Sequence, residues 1–243
     1  MSSLSLLPVV DHDGDPALKF WAVHLTGRAR SAADSLPEAV RHLSAEQRLA
    51  AIFLTGWVFG FPTFRTGASS IVSMSDLSAA ELRSAFSQGL NGQGRCDPWA
   101  LILRRDRLWE MGARPVLYVD EDRASCYAEA AVQDRGSGWD ALVQPTRITW
   151  TRETGKRDWL NEREWRFCWP AGPVARLDIS SAIVGVVVGR PHWDPTAVIG
   201  LTGKPGETVP ARRESVDSAF RWVWDEAAGV LRDDGRVKTL LAT

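Results

Sequence analysis

Residues 158–169, Asp-Trp-Leu-Asn-Glu-Arg-Glu-Trp-Arg-Phe-Cys-Trp, hold the densest set of side chains able to do chemistry. Glu162 and Glu164 stand two positions apart, beside Arg163 and Arg166 and among three tryptophans. In an extended backbone alternate side chains share a face. Glu162, Glu164 and Arg166 are therefore expected on one side, and Trp165, Phe167 and Trp169 on the other. Carboxylates and a guanidinium on one face of an aromatic strand form either a buried ion-pair network or the wall of an active site. Further polar groups recur at strand-like positions: His24 near the start, and Ser73 with Ser75 in Val-Ser-Met-Ser-Asp.

Such a set suits cleavage of a nicotinamide–ribose bond. That transition state is oxocarbenium-like, so a carboxylate that holds the ribose hydroxyls and faces the growing positive charge lowers the barrier. A second carboxylate two residues earlier can orient or deprotonate the incoming nucleophile. A histidine can hydrogen-bond the adenosine ribose, a serine strand can brace the catalytic glutamate, and aromatic rings can stack on nicotinamide.

The elements that must position these groups read as follows. Residues 20–26 form a short apolar strand ending at Gly27. From Ala32 to Phe59 the pattern is helical with one break. Within it, Ser44-Ala-Glu-Gln47 has capping-box form, and Leu49, Ile52, Phe53 and Val58 recur at helical spacing. Ala68–Ser75 is a loose strand, Asp76 turns the chain, and Ser78-Ala-Ala-Glu81 is a second capping box opening a helix to about Gln88. Trp99–Leu103 is short and apolar, Asp106–Met111 is one or two helical turns closed by Gly112, and Pro115–Val119 is a strand. Arg123–Gln133 has a helical pattern, and Arg147–Trp150 is expected to neighbour Glu164–Trp169. Ala182–Gly189 is an Ile/Val run suited to a fully buried strand, and Phe220–Leu231 reads as a terminal hairpin. With helices early, strands late and no linker, a single α+β domain over residues 1–243 is expected.

Composition narrows the function classes. At 243 residues and 44% hydrophobic content the chain can bury an ample core, and a net charge of −1 supplies no global field to recruit nucleic acid or an anionic membrane. Twelve scattered tryptophans suggest core anchors rather than one stacking platform. Cys96, Cys126 and Cys168 fit neither a disulfide framework nor a zinc site, and His12, His24, His42 and His192 show no metal-ligand spacing, so no metal is expected. No Gly-rich nucleotide fingerprint follows a strand. The start of the chain makes a poor secretory signal and no apolar run is long enough to span a bilayer, so a cytoplasmic protein with no membrane partner is expected. Arg104, Arg105 and Arg107 form a small basic cluster, suited either to gripping phosphate or to a solvated face.

The order His, then Ser-x-Ser, then Glu-x-Glu resembles the ADP-ribosyltransferase superfamily. Within it the chain looks closest to bacterial toxins that attach ADP-ribose to DNA bases. The matching features are His24 and Thr26 as a His-x-Thr opening, the middle strand Leu117-Tyr118-Val119, and Glu164 before the aromatic Trp165. The string Trp159-x-x-Glu162-x-Glu164-Trp165-Arg166 also resembles a large bacterial family that includes abortive-phage-infection-type proteins. The resemblance runs in order over residues 20–190, in motifs of three to eight residues. It implies a split β-core and NAD as substrate, with Glu164 as catalytic carboxylate and Glu162 orienting the acceptor. His24, Thr26, Ser73, Ser75 and Tyr118 would line the NAD site. The toxins also bind NAD through an arginine soon after the histidine; Arg28 and Arg30 both lie near, and spacing does not choose between them. No counterpart of the toxins' DNA-binding loop is evident, which leaves the acceptor open among protein, nucleic acid and small molecule.

Two other readings stand beside this one. Glu162, Glu164 and Arg166 can be a structural network in a non-catalytic binding or immunity protein on the same scaffold. A tailoring enzyme acting on a small molecule would also suit tryptophan-lined pockets.

Overall fold

Capping decides where the first two helices among the described residues begin. In a computed structural model that describes residues 21–27, 42–62, 70–89, 94–119, 142–145, 163–169, 175–199 and 219–236, α1 runs Ala45–Thr55 behind Ser44. The Ser44 hydroxyl accepts from the Gln47 N–H at 3.1 Å, and the Gln47 side chain returns to the Ser44 N–H at 2.8 Å. Two of the helix's orphan donors are thereby satisfied. Replacing Ser44 by Ala is expected to lower stability by about 1 kcal/mol, read by urea unfolding. The helix stops at Gly56, in the left-handed region at φ 71°, where a Cβ would sit 2.8 Å from that of Ser180.

The helical pattern expected to reach Phe59 therefore ends early, and Trp57–Pro62 is instead strand β2. Apolar periodicity does not separate a short helix extension from a strand, and here the glycine stop and the aromatic run after it favour extended backbone. The second capping box holds: α2 runs Ala79–Ser87, with Ser78 and Glu81 reciprocally bonded.

The remaining elements interleave. They are β1 (Trp21–Leu25), β3 (Ser70–Ser75), β4 (Ala100–Arg104), α3 (Arg105–Glu110), β5 (Arg114–Pro115), β6 (Leu117–Val119), β7 (Val143–Pro145), β8 (Glu164–Trp169), β9 (Ala175–Asp178), β10 (Ile183–Val188), α4 (Pro195–Ile199), β11 (Phe220–Asp225) and β12 (Val230–Arg236). The fold is α+β with a mixed sheet, and α1–α3 fall in the first half as expected. The strands do not come late, since six of them precede residue 120. The expected strand Pro115–Val119 is two pieces in different sheets: β5 joins β8, whereas β6 pairs in parallel with β7. The buried Ile/Val run is β10, set between β4 and β11, and the terminal hairpin is β11–β12. The expected helix Arg123–Gln133 and strand Arg147–Trp150 lie outside the described residues.

The large sheet follows the order β12-β11-β10-β4-β1-β3-β2-β9, with β8 and β5 added at β3. Register shows that this is a fork. Ser70 and Ile71 pair with both β2 and β8, and Ser75 pairs with both β1 and β8. A strand has two edges, so β8 occupies one edge of β3 while β2 and β1 share the other, at opposite ends. One arm leads from β1 through β4 to the hairpin, and the other from β2 to β9.

Each face of the sheet carries its own core. On one, Leu49 and Phe53 of α1, Leu108 of α3 and Val198 of α4 pack with Leu101, Leu103, Val186, Val188 and Trp193. On the other, Leu82 and Phe86 of α2 pack with Val23, Ile102, Val187, Trp222 and Trp224. The Trp193 ring meets Phe53 and Trp99 at 6.0 and 6.1 Å between centroids, so these aromatics are anchors of packing. No helix among the described residues is long and apolar enough to cross a membrane.

Candidate functional site

β8 brings its polar face against β3 in continuous antiparallel register. Ser75 lies opposite Glu164, and Ser73 opposite Arg166. Directly opposed residues share a face, so both serines stand with Glu164 and Arg166. Val72 and Met74, by contrast, join Trp165, Phe167 and Trp169 on the α1 side. The aromatics of β8 are thus packing groups behind the carboxylate: Phe167 stacks on Trp169 at 6.0 Å, and Trp165 meets Trp109 edge-on at 6.2 Å.

Glu164 is fixed at three points. Its N–H donates to the Tyr118 hydroxyl at 2.9 Å, its carbonyl accepts from the Val116 N–H at 2.8 Å, and its Oε2 accepts from Arg166 Nη2 at 2.7 Å. Glu164 is 8% exposed and Arg166 6%. A charge-assisted bond between two buried groups is short and directional, and removal of either partner leaves a buried charge.

His24 takes a different place. Its Nδ1 is 2.8 Å from the Ser73 carbonyl. A carbonyl only accepts, so Nδ1 carries the hydrogen, and in the neutral ring Nε2 is the remaining acceptor. Cross-strand pairing sets His24 opposite Leu101, on the α1 face, whereas Val23 lies opposite Ser75 on the α2 face. His24 and Glu164 therefore sit on adjoining parts of the fork but on opposite faces. Neither β1 nor β2 pairs with Val72–Met74, and the His24 ring meets β3 in this gap. Thr26 is 7% exposed, and its hydroxyl lies 2.9 Å from the Ala45 carbonyl and 3.0 Å from that of Trp99, tying the end of β1 to the start of α1.

Arg163, just ahead of Glu164, is a left-handed non-glycine residue at φ 40°. The two-residue alternation of β8 consequently stops at Glu164, and a face shared with Glu162 does not follow from strand geometry. Glu162 itself lies outside the described residues, as do Trp159, Arg28 and Arg30.

The Arg163 guanidinium donates to both carboxylate oxygens of Glu81, at 2.9 and 2.6 Å, and to the carbonyl of Asp76. This fork holds the Glu81 carboxyl down from its usual 4.5 to about 2, with the Ser78 cap assisting, and raises the Arg163 guanidinium in turn. The folded value lies below the ordinary one, so the pairing's contribution is fully present above about pH 4.5. It is lost as pH falls towards 2. Because both side chains are partly open to water, Glu81→Gln is expected to lie only slightly below wild type in stability at pH 6 and to converge on it as pH falls, in urea unfolding at pH 6, 4 and 3.

Asp76 was expected only to turn the chain; its carboxylate also pairs with Arg105, while Ser78 supplies the cap. Arg104 pairs with Asp106, and Arg107 with Glu110 at 2.7 Å. Each arginine of the basic cluster thus has a carboxylate partner, two of them nearby in sequence, and phosphate gripping gains no support. Sequence reasoning missed Arg163 and Glu81 as partners. The only signal was a charged residue inside an alternating pattern, which says nothing of a left-handed turn. Among the described residues no group of three or more His, Cys, Asp or Glu side chains could hold a metal ion.

No family model, curated protein or solved structure matches the chain.

Proposed function

We propose that this chain cleaves NAD at the nicotinamide–ribose bond. It passes the ADP-ribosyl group to an acceptor, as a mono-ADP-ribosyltransferase of the toxin or phage-defence kind, or to water, as an NAD glycohydrolase. The observation that carries this reading is the strand order at the fork. β1, β3 and β8 lie side by side, so His24, the Ser73/Ser75 pair and Glu164 come from distant parts of the sequence to three adjacent strands. The two arms leaving one edge of β3 support a split core of ADP-ribosyltransferase type.

On this reading Glu164 holds the ribose hydroxyls and faces the positive charge that grows as the C1′–N bond breaks. The bonding pair goes to the pyridinium nitrogen and nicotinamide leaves neutral. A lone pair of the acceptor closes on C1′ as its proton passes to Glu162. Arg166 keeps the Glu164 side chain in place, and Ser75 stands against it from β3. The resemblance assigns His24 to the adenosine ribose; its ring is held by the Ser73 carbonyl on the face of the sheet opposite Glu164. Free nicotinamide released from NAD by the wild-type protein, and not by Glu164→Gln, is the test.

One observation favours a second reading. The Glu164 carboxylate is buried against Arg166, which is what a structural network in a non-catalytic binding or immunity protein requires. Nothing observed favours the small-molecule tailoring enzyme.

A further inference from the structure

We propose that Arg163 is a positioning residue for Glu164, acting through a latch to Glu81 and Asp76 that sets the entry of β8 into the site. The inference rests on the NAD-cleaving reading above. A left-handed backbone at a non-glycine residue is disfavoured and persists where surrounding contacts over-determine it. Here those contacts are explicit. The guanidinium grips both oxygens of Glu81 and the Asp76 carbonyl, while the Arg163 carbonyl accepts from the Asp76 N–H at 3.2 Å. Main chain and side chain of Arg163 are thus tied to the same short segment.

The latch sits where it matters for direction. Asp76 directly follows Ser75, and Ser75 lies opposite Glu164 at the end of the β3–β8 ladder. Turning the chain at Arg163 sends its side chain to α2, while Glu164 enters the sheet with its carboxylate against Arg166. Stability alone does not account for this arrangement. The Arg163 side chain is 46% exposed and that of Glu81 35%, and ion pairs so open to water contribute little net stability. What the latch fixes is the angle at which the candidate catalytic residue is presented.

The test uses the full chain, nicotinamide release from NAD, and four variants. Glu81→Gln keeps a residue that can complete the Ser78 capping box but removes the charge partner. Arg163→Ala removes the guanidinium. Arg163→Gly removes it too while accepting the left-handed backbone freely. The fourth is the Arg163→Ala/Glu81→Gln double variant. Each single variant is expected to lower kcat ~10- to 100-fold with KM for NAD within about two-fold, and to melt within a few degrees of wild type. The double variant is expected to be no worse than the weaker single, as for two halves of one device. Unchanged kcat, additive losses, a change confined to KM, or full kcat in Arg163→Gly overturns the latch while leaving NAD cleavage standing. No nicotinamide release from the wild-type protein overturns the functional reading and this inference with it.

Discussion

Glu164→Gln is expected to lower nicotinamide release from NAD by about 10²–10³-fold in kcat, the scale of removing one preorganised electrostatic contact to a charged transition state. The same variant also loses stability. Gln retains an oxygen able to accept from Arg166 Nη2, but the buried guanidinium then faces a neutral partner. The expected loss is about 2 kcal/mol, below the ~3–5 of outright removal. For a chain of this length it amounts to a melting shift of about 4–8 °C. Melting temperature therefore does not separate a catalytic Glu164 from a structural one, because burial makes the residue matter to the fold under either reading. Nicotinamide release measured on protein shown to be folded does separate them.

Arg166→Met carries the largest stability effect. It strands the Glu164 carboxylate at 8% exposure, opposite Ser75 on the neighbouring strand. The expected loss is ~3–5 kcal/mol, or a melting temperature lower by about 6–20 °C, read by urea and thermal unfolding. Adding Glu164→Leu is expected to recover more than half of it, since an apolar pair of similar volume removes both buried charges. Activity is expected to be lost in the single variant and not restored in the double. Recovery of stability without recovery of chemistry would show that the pair is held for its carboxylate rather than for the fold.

Local signals in this chain were legible where they are self-contained. Both capping boxes are complete within four residues, so Ser44/Gln47 and Ser78/Glu81 mark true helix starts. The Ile/Val run at 183–188 is a central strand whose Val186, Val187 and Val188 are buried on both faces while Ile183 and Val184 are half-buried, and the alternating tryptophans at 222 and 224 make half of a hairpin. The candidate site was legible as a face: Glu164 and Arg166, two apart, do meet across one turn of the pleat.

What was not legible depends on partners distant in sequence or on a single dihedral. Val116 donates to the Glu164 carbonyl between β5 and β6, and no local pattern announces that contact or the break it accompanies. Gly56 ends α1 because its left-handed cap and the close approach of Ser180 leave no room to continue. Arg163 reads as one more charge in an alternating string until its φ is known. The opposite facing of His24 and Glu164 follows only from the register of three strands.

The most direct test of the account is calorimetric titration of the purified wild-type and Glu164→Gln proteins with NAD, with free nicotinamide measured in the same samples. Binding by both proteins, with nicotinamide appearing only in the wild type, is the predicted result. No binding at millimolar NAD would contradict it and leave Glu164 and Arg166 as a structural pair in a binding protein.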